Sequence, residues 1–201
     1  TRPRGNPRFD EERARADECL QILTHFPDTM LNICQMPGSG RENLVERQKN
    51  CLLNANAIAK RAADLGIRSG YHPNSPPGSV FRTEEDYEIL LNGLDQSVLG
   101  YIPDSGHIAA GGMDPSKIIQ QYFSQVVHVH FKDMNAEGAW EPMGGGILDH
   151  VGITKFLAAN NYNGWIVVED ECHAAIGDPD SVTKGDGAYC NSVLLPLVTS
   201  S

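Results

Sequence analysis

Val126-Val127-His128-Val129-His130-Phe131-Lys132-Asp133 is the stretch that decides the fold. An apolar run broken by two histidines two residues apart reads as a β-strand, because strand side chains point to opposite faces in turn. Val127, Val129 and Phe131 form one apolar face suited to covering helices. His128 and His130 share the other. A strand that is apolar almost throughout fits a parallel sheet covered by helices, and the histidines at its end then need a reason to be there.

Outward from this strand the chain alternates. Toward the N-terminus, Asp10 to Phe26 has helical spacing in Ala14, Leu20, Ile22 and Leu23, and Leu31 to Cys34 is a short strand. Glu42 to Leu65 is a long helix with an apolar stripe (Leu44, Leu52, Ala55, Ile58, Ala59, Ala62), stopped by Gly66. Ile67 to His72 is a strand. Thr83 caps a helix with acids in its first turn, running to about Leu94. Val98 to Pro103 is a strand and Gly106 to Gly112 a Gly-rich loop, after which Asp114-Pro115 starts a helix to about Phe123. Beyond the central strand come a long loop over 134–148, a helix from Ile153 to Asn160 and a strand from Trp165 to Glu169. Asp180 to Leu197 is helical near its end, with Gly185 and Gly187 interrupting. Repeated strand–helix alternation with no linker and no internal repeat predicts one α/β domain over 1–201, built of parallel βαβ units.

Four strands close on a polar residue that a buried strand does not call for: His72, Asp104, His130 and Glu169. The carboxyl ends of strands carry the active site in parallel α/β folds. Alternation puts Asp104 on the face of Ile102 and Gly100, and sets Glu169 opposite Ile166 and Val168, which face the helices. Taken singly, each residue has a plainer role. A strand-end His is commonly a hydrogen-bonded core residue, Asp104 before Ser105-Gly106 suits a turn, and Glu169 could pair with Lys132. Together, two imidazoles and two carboxylates at one end of a sheet suggest a divalent metal, with Mn²⁺, Co²⁺, Zn²⁺ or Mg²⁺ all compatible. An ion would also offset the several kcal/mol that an unpaired buried carboxylate costs.

Composition bounds the partners. With 16 Lys+Arg against 26 Asp+Glu the net charge is −10, which disfavours a broad surface for phosphate backbones and hence nucleic acid. No apolar run is long enough to span a bilayer, and Thr1-Arg2-Pro3-Arg4-Gly5 lacks the apolar core of a secretory signal. The absence of an initiator Met fits a chain processed or cut from a longer one. Five scattered cysteines (Cys19, Cys34, Cys51, Cys172, Cys190) fit reduced thiols in a cytoplasmic compartment.

Several motifs then occur in a telling order: Tyr71-His72-Pro73-Asn74, Asp104-Ser105-Gly106-His107, Ala110 to Pro115, His128 to Asp133, Pro142 to Asp149 and Gly164 to Glu169. Over about residues 10–198 the chain resembles the xylose-isomerase-like TIM-barrel superfamily of sugar phosphate isomerases and epimerases. The branch most like it is inosose dehydratase and related inositol-catabolism proteins. The resemblance implies a (β/α)₈ barrel with one catalytic divalent ion, held by an acid on the fifth strand, an Asp on the sixth, a His on the seventh and a Glu on the eighth. Asp104, His130 and Glu169 match the last three. His72 stands near the fifth-strand place, where dehydratase-like branches also carry His. His107 sits where the family contacts substrate, and Lys132 where a polar substrate contact is common.

The chain also departs from the family pattern. The fifth-strand acid is absent. The family's Gly-Glu-Gly is Gly144-Gly145-Gly146 here. Only about five βα units, the fourth to eighth, can be counted, so a barrel incomplete at its N-terminus is expected, either a fragment or a reduced barrel. Its open edges would favour assembly into a homo-oligomer.

The chemistry implied is proton abstraction next to a carbonyl of a small sugar or polyol, leading to isomerisation, epimerisation or dehydration. Glu169 would serve as base, His107 would bond a hydroxyl or act as acid, and Lys132 would neutralise developing charge. Two other readings stand beside it. A three-zinc apurinic endonuclease of the same superfamily needs many more ligands than seven scattered histidines supply, His25 and His150 lying outside the barrel-end pattern. A degenerate, non-catalytic barrel retained as a binding or scaffold module fits the two missing acids and the short length.

Overall fold

The computed structural model describes residues 7–199. The elements are α1 (Pro7–Leu23), β1 (Met30–Ile33), α2 (Leu44–Asp64), β2 (Arg68–Tyr71), α3 (Glu84–Gly93), β3 (Gly100–Tyr101), α4 (Ser105–Ala110), α5 (Pro115–Gln121), β4 (Val129–Phe131), β5 (Asp133–Met134), β6 (Trp140–Glu141), α6 (His150–Ala159), β7 (Ile166–Val168), α7 (His173–Gly177), α8 (Pro179–Tyr189) and α9 (Leu195–Thr199).

Five of the strands follow one another side by side, all parallel. β1 pairs with β2 and β2 with β3, β4 pairs with β7, and single bridges at Tyr101–Val126 and Asp104–His130 join β3 to β4. This is the strand order of a (β/α) barrel opened along one side, and the expected TIM-barrel architecture holds. Helices cover its outer face. Tyr71, Tyr101, Val129 and Phe131 point into a core shared with Ala55, Ala59, Leu90, Leu91, Ile119, Ile153 and Leu157. Along the unpaired side of β1, a groove of about 780 Å³ between α1 and α2 is lined by Leu31, Ile33, Cys34, Cys51 and Tyr71. Among the described residues no helix is long and apolar enough to cross a membrane.

The helix starts follow from their caps. Asp114 accepts from Ser116 N at 2.9 Å with Pro115 behind it, and Asp149 accepts from Gly152 N at 2.7 Å. At α3, Asp86 accepts from Thr83 N at 2.9 Å and also pairs with Arg41 at 2.8 Å, which ties the helix start to the loop before α2.

Five expectations are corrected. The Gly-rich stretch 106–112 is not all loop: α4 occupies Ser105–Ala110, started by Asp104, whose Oδ1 accepts from His107 N at 2.7 Å. Gly106 is required there, because a Cβ would lie 2.8 Å from Lys132 Cβ. The 134–148 loop contains an antiparallel hairpin, β5 with β6. The predicted strands 98–103 and 126–131 narrow to Gly100–Tyr101 and Val129–Phe131. The backbone bends at Val127, so Val127 leaves the outer face and instead packs where a side chain on Gly70 or Gly100 would go. Finally, Gly185 and Gly187 do not interrupt the last helix. They sit inside α8, which runs through a π-helical stretch, Cys190–Leu194, into α9. Asp186, accepting from Met143 N at 2.9 Å, pins that helix to the loop before α6.

Candidate metal centre

Three of the groups at the barrel mouth directly follow or lie in a strand and are fixed by a ladder bond to the neighbouring strand. His72 N donates to Ile33 O at 2.8 Å, His130 N to Pro103 O at 2.8 Å and Glu169 N to Phe131 O at 2.9 Å. Asp104 is fixed from the other side, as the cap of α4. Register therefore sets the four side chains level with one another. His72, Asp104, His130 and Glu169 each offer a donor atom, and these atoms lie within 4.8 Å of one another. His130 Nδ1 and Glu169 Oε2 are 2.9 Å apart, His72 Nε2 lies 3.6 Å from Asp104 Oδ2 and 3.9 Å from Glu169 Oε2.

The electrostatics favour both carboxylates as anions. Burial on its own would raise Asp104, but His72 and Lys132 outweigh it and the carboxyl falls to about 2. The His130 hydrogen bond, opposed by burial and helped by Lys132, brings Glu169 to about 2. Burial would lower His72, yet the Asp104 carboxylate beside it raises the imidazole to about 9. Even so, His72 Nε2 and Asp104 Oδ2 are buried and have no hydrogen-bond partner among the described residues. Two nitrogens and two carboxylates facing one another, with His72 Nε2 and Asp104 Oδ2 lacking a hydrogen bond, fit a divalent ion.

Lys132 and His107 adjoin this group. The Lys132 ammonium, buried at the end of β4, lies 3.5 Å from Glu169 Oε1, 3.8 Å from Asp104 Oδ2 and 3.3 Å from His107 Nε2. Burial would lower its pKa, but the surrounding carboxylates of Asp104, Glu171 and Glu169 raise it. His107 is lowered by burial and by Lys132, and its Nδ1 meets Ser75 Oγ at 2.9 Å. A neutral ring with Nε2 accepting from Lys132 satisfies both contacts. The Trp140 ring closes one wall, 5.3 Å from the Lys132 ammonium and 5.8 Å from the His107 ring. All six residues expected from the sequence thus meet at one mouth, and His128, its ring 5.2 Å from that of His130, lies beside them on the same face.

Sequence reasoning missed Glu171 and His150, and also Ser75 and Trp140, which contact His107 and Lys132. Glu171 bonds Lys132 Nζ at 2.8 Å. The alternation that paired His128 with His130 also pairs Glu169 with Glu171 and was the available signal. His150, set aside as remote, is buried directly behind the site. Its Nε2 is 3.0 Å from Ser105 Oγ, which bonds both N and O of Lys132 at 3.0 Å. Next along the chain, Asp133 accepts from the backbone N–H of Met134, Gly144, Gly146 and Leu148. Gly146 is needed for that approach, since a Cβ there would meet Asp133 Oδ1 at 2.2 Å. The glycines standing at the family's Gly-Glu-Gly thus wrap a buried carboxylate.

Comparison with known proteins places the chain in a family and speaks to its fold. The family profile described as xylose isomerase-like TIM barrel matches residues 4–189. The chain is 30% identical over 159 residues to the inosose dehydratase of Clostridium botulinum (strain Alaska E43 / Type E3), covering 70% of this chain and 53% of that protein. It spans about half the length of the curated relatives it matches. Among solved structures, the IolI protein with a bound zinc atom superposes with a TM-score of 0.78 at 13% identity, covering 98% of this chain and 73% of the other. The 3-keto-D-glucoside 4-epimerase YcjR of E. coli follows at 0.73 and 17% identity, covering 90% and 70%. At such identities the structures speak for the fold alone.

Proposed function

The chain belongs to the xylose isomerase-like TIM-barrel family, and from that membership we propose that it serves a divalent-metal-dependent enzyme of the isomerase, epimerase or dehydratase type. The substrate is a small sugar or polyol ketone, worked on in the cytoplasm. The observation that carries this reading is the pair of orphaned, buried donors, His72 Nε2 and Asp104 Oδ2, inside a group of four possible ligands. The likeness to an inosose dehydratase favours the dehydratase branch.

His72, Asp104, His130 and Glu169 are the residues that would hold the ion, and two imidazoles among them favour Mn²⁺, Co²⁺ or Zn²⁺ over Mg²⁺. A bound divalent ion supplies Lewis acidity beside a carbonyl. The protein's own groups do the rest. Glu169 Oε1, the oxygen turned toward Lys132 at 3.5 Å rather than toward His130, takes the proton from carbon. Lys132, cationic and shielded from water, stabilises the anion left behind and holds a proton to give to it or to a departing hydroxyl. His107, a neutral ring oriented by Ser75, has its one lone pair on Nε2, which accepts from Lys132 at 3.3 Å and would accept from a substrate hydroxyl in place of that bond. Trp140 offers an apolar face to the C–H side of the substrate and keeps water from Lys132.

The test has two stages. Titration of the purified chain with Mn²⁺, Co²⁺, Zn²⁺ and Mg²⁺ should show one ion bound per chain. Product analysis with a panel of keto-inositols and keto-sugars should then show a shifted carbonyl, an inverted centre or loss of water. A scaffold or binding module predicts neither an ion nor a product, and leaves the two orphaned donors without an account.

A further inference from the structure

We infer that Glu171 is a positioning residue of this centre: it holds the Lys132 ammonium away from the carboxylates of Asp104 and Glu169, so that both stay available to a cation. The inference rests on the metal-site reading above. Lys132 has three N–H donors and is otherwise enclosed. Its stem lies against Gly106, where no side chain would fit, and its ammonium under Trp140. Within that enclosure the ammonium bonds Glu171 Oε1 at 2.8 Å while standing off Glu169 Oε1 at 3.5 Å and Asp104 Oδ2 at 3.8 Å. The two longer separations exceed the shortest by 0.7 and 1.0 Å (3.5 − 2.8 and 3.8 − 2.8).

That difference decides the chemistry. A shift of this size would turn two loose ion pairs into direct charge-assisted hydrogen bonds. The ammonium would then occupy lone pairs that a metal needs, and would set a positive charge against the ion. Glu171 opposes the shift from the solvent side. Its side chain is 46% exposed, so it is little needed for packing and its direct field at the centre is screened by water. It acts through where it puts Lys132. The charges also close: a divalent ion and Lys132 together carry three positive charges, and Asp104, Glu169 and Glu171 three negative ones, once both imidazoles are neutral.

The experiment is a calorimetric titration of the full chain with Mn²⁺ at neutral pH, in wild type, Glu171→Gln, Lys132→Met and the double variant, with thermal unfolding of each metal-free protein read alongside. Glu171→Gln should weaken Mn²⁺ binding roughly tenfold or more, as loss of an outer partner of a metal site typically does, with Glu171→Asp recovering part of it. In the Lys132→Met background the same substitution should change the affinity by less than about twofold, because the residue it acts through is gone. Lys132→Gln replaces Lys132→Met should the thioether disturb packing against Trp140. The inference is overturned if Glu171→Gln leaves Mn²⁺ affinity unchanged, or if its effect is equally large without Lys132. Wild-type protein that binds no Mn²⁺, Co²⁺ or Zn²⁺ overturns the metal-site reading itself, a distinct result.

Discussion

Asp104→Asn tests the charge arrangement at its centre. Asn caps a helix about as well as Asp, so the bond from His107 N is conserved and the change isolates the charge. The carboxyl is fully buried and is held at about 2 against an ordinary 3.8. That difference corresponds to about 2–3 kcal/mol of folding stability. The sign follows from linkage. A lowered carboxyl contributes stability that is present above its unfolded value, near 3.8, and is lost as pH falls through about 2. His72, raised from 6.5 to about 9, contributes below 6.5 and loses that contribution as pH rises through about 9. The pair is therefore worth most between roughly pH 4 and 6.5. Urea unfolding of the metal-free protein, followed by far-ultraviolet circular dichroism, should show Asp104→Asn destabilised by about 2–3 kcal/mol at pH 6 and by about half of that at pH 3. A loss below about 1 kcal/mol at pH 6, or one that does not change with pH, would refute the assignment of this carboxylate as a strongly stabilised buried anion.

Three further outcomes are expected. Because a metal must displace the proton His72 holds up to about pH 9, apparent Mn²⁺ affinity should rise about tenfold per pH unit between pH 6 and 8; a flat profile by calorimetry would remove His72 from the ligand set. Glu169→Gln should lower turnover by roughly 10²–10⁴-fold once metal is saturating, and steady-state rates equal to wild type would end its role as base. Gly100→Ala should destabilise the fold by about 1–3 kcal/mol, since its Cβ would lie 2.3 Å from Val127 Cγ1, and Val127→Ala in the same chain should restore much of the loss in thermal unfolding; no rescue would mean that Val127 does not fill the barrel interior.

The fold was legible where periodicity was long or a cap was explicit. The stripe through Ala55, Ile58, Ala59 and Ala62 gave α2, and Asp114-Pro115 gave the start of α5. The site was legible because one rule, alternation along a strand, applies to His130 and Glu169 alike. What escaped depends on contacts between distant parts of the chain. α4 is six residues long and begins with Ser-Gly, so propensity argues against it; Asp104 capping and burial under Lys132 create it. The bend at Val127 goes with its packing against Gly70 and Gly100, a contact that no local pattern encodes. His150 reaches Ser105 only through the docking of α6 on the barrel.

The most direct measurement is a crystal structure of the chain soaked in Mn²⁺ or Zn²⁺, with the ion located by its anomalous scattering. The account predicts one ion, about 2.0–2.2 Å from nitrogens of His72 and His130 and oxygens of Asp104 and Glu169. An ion bound elsewhere, or these four side chains ordered around no ion at millimolar metal, would contradict it.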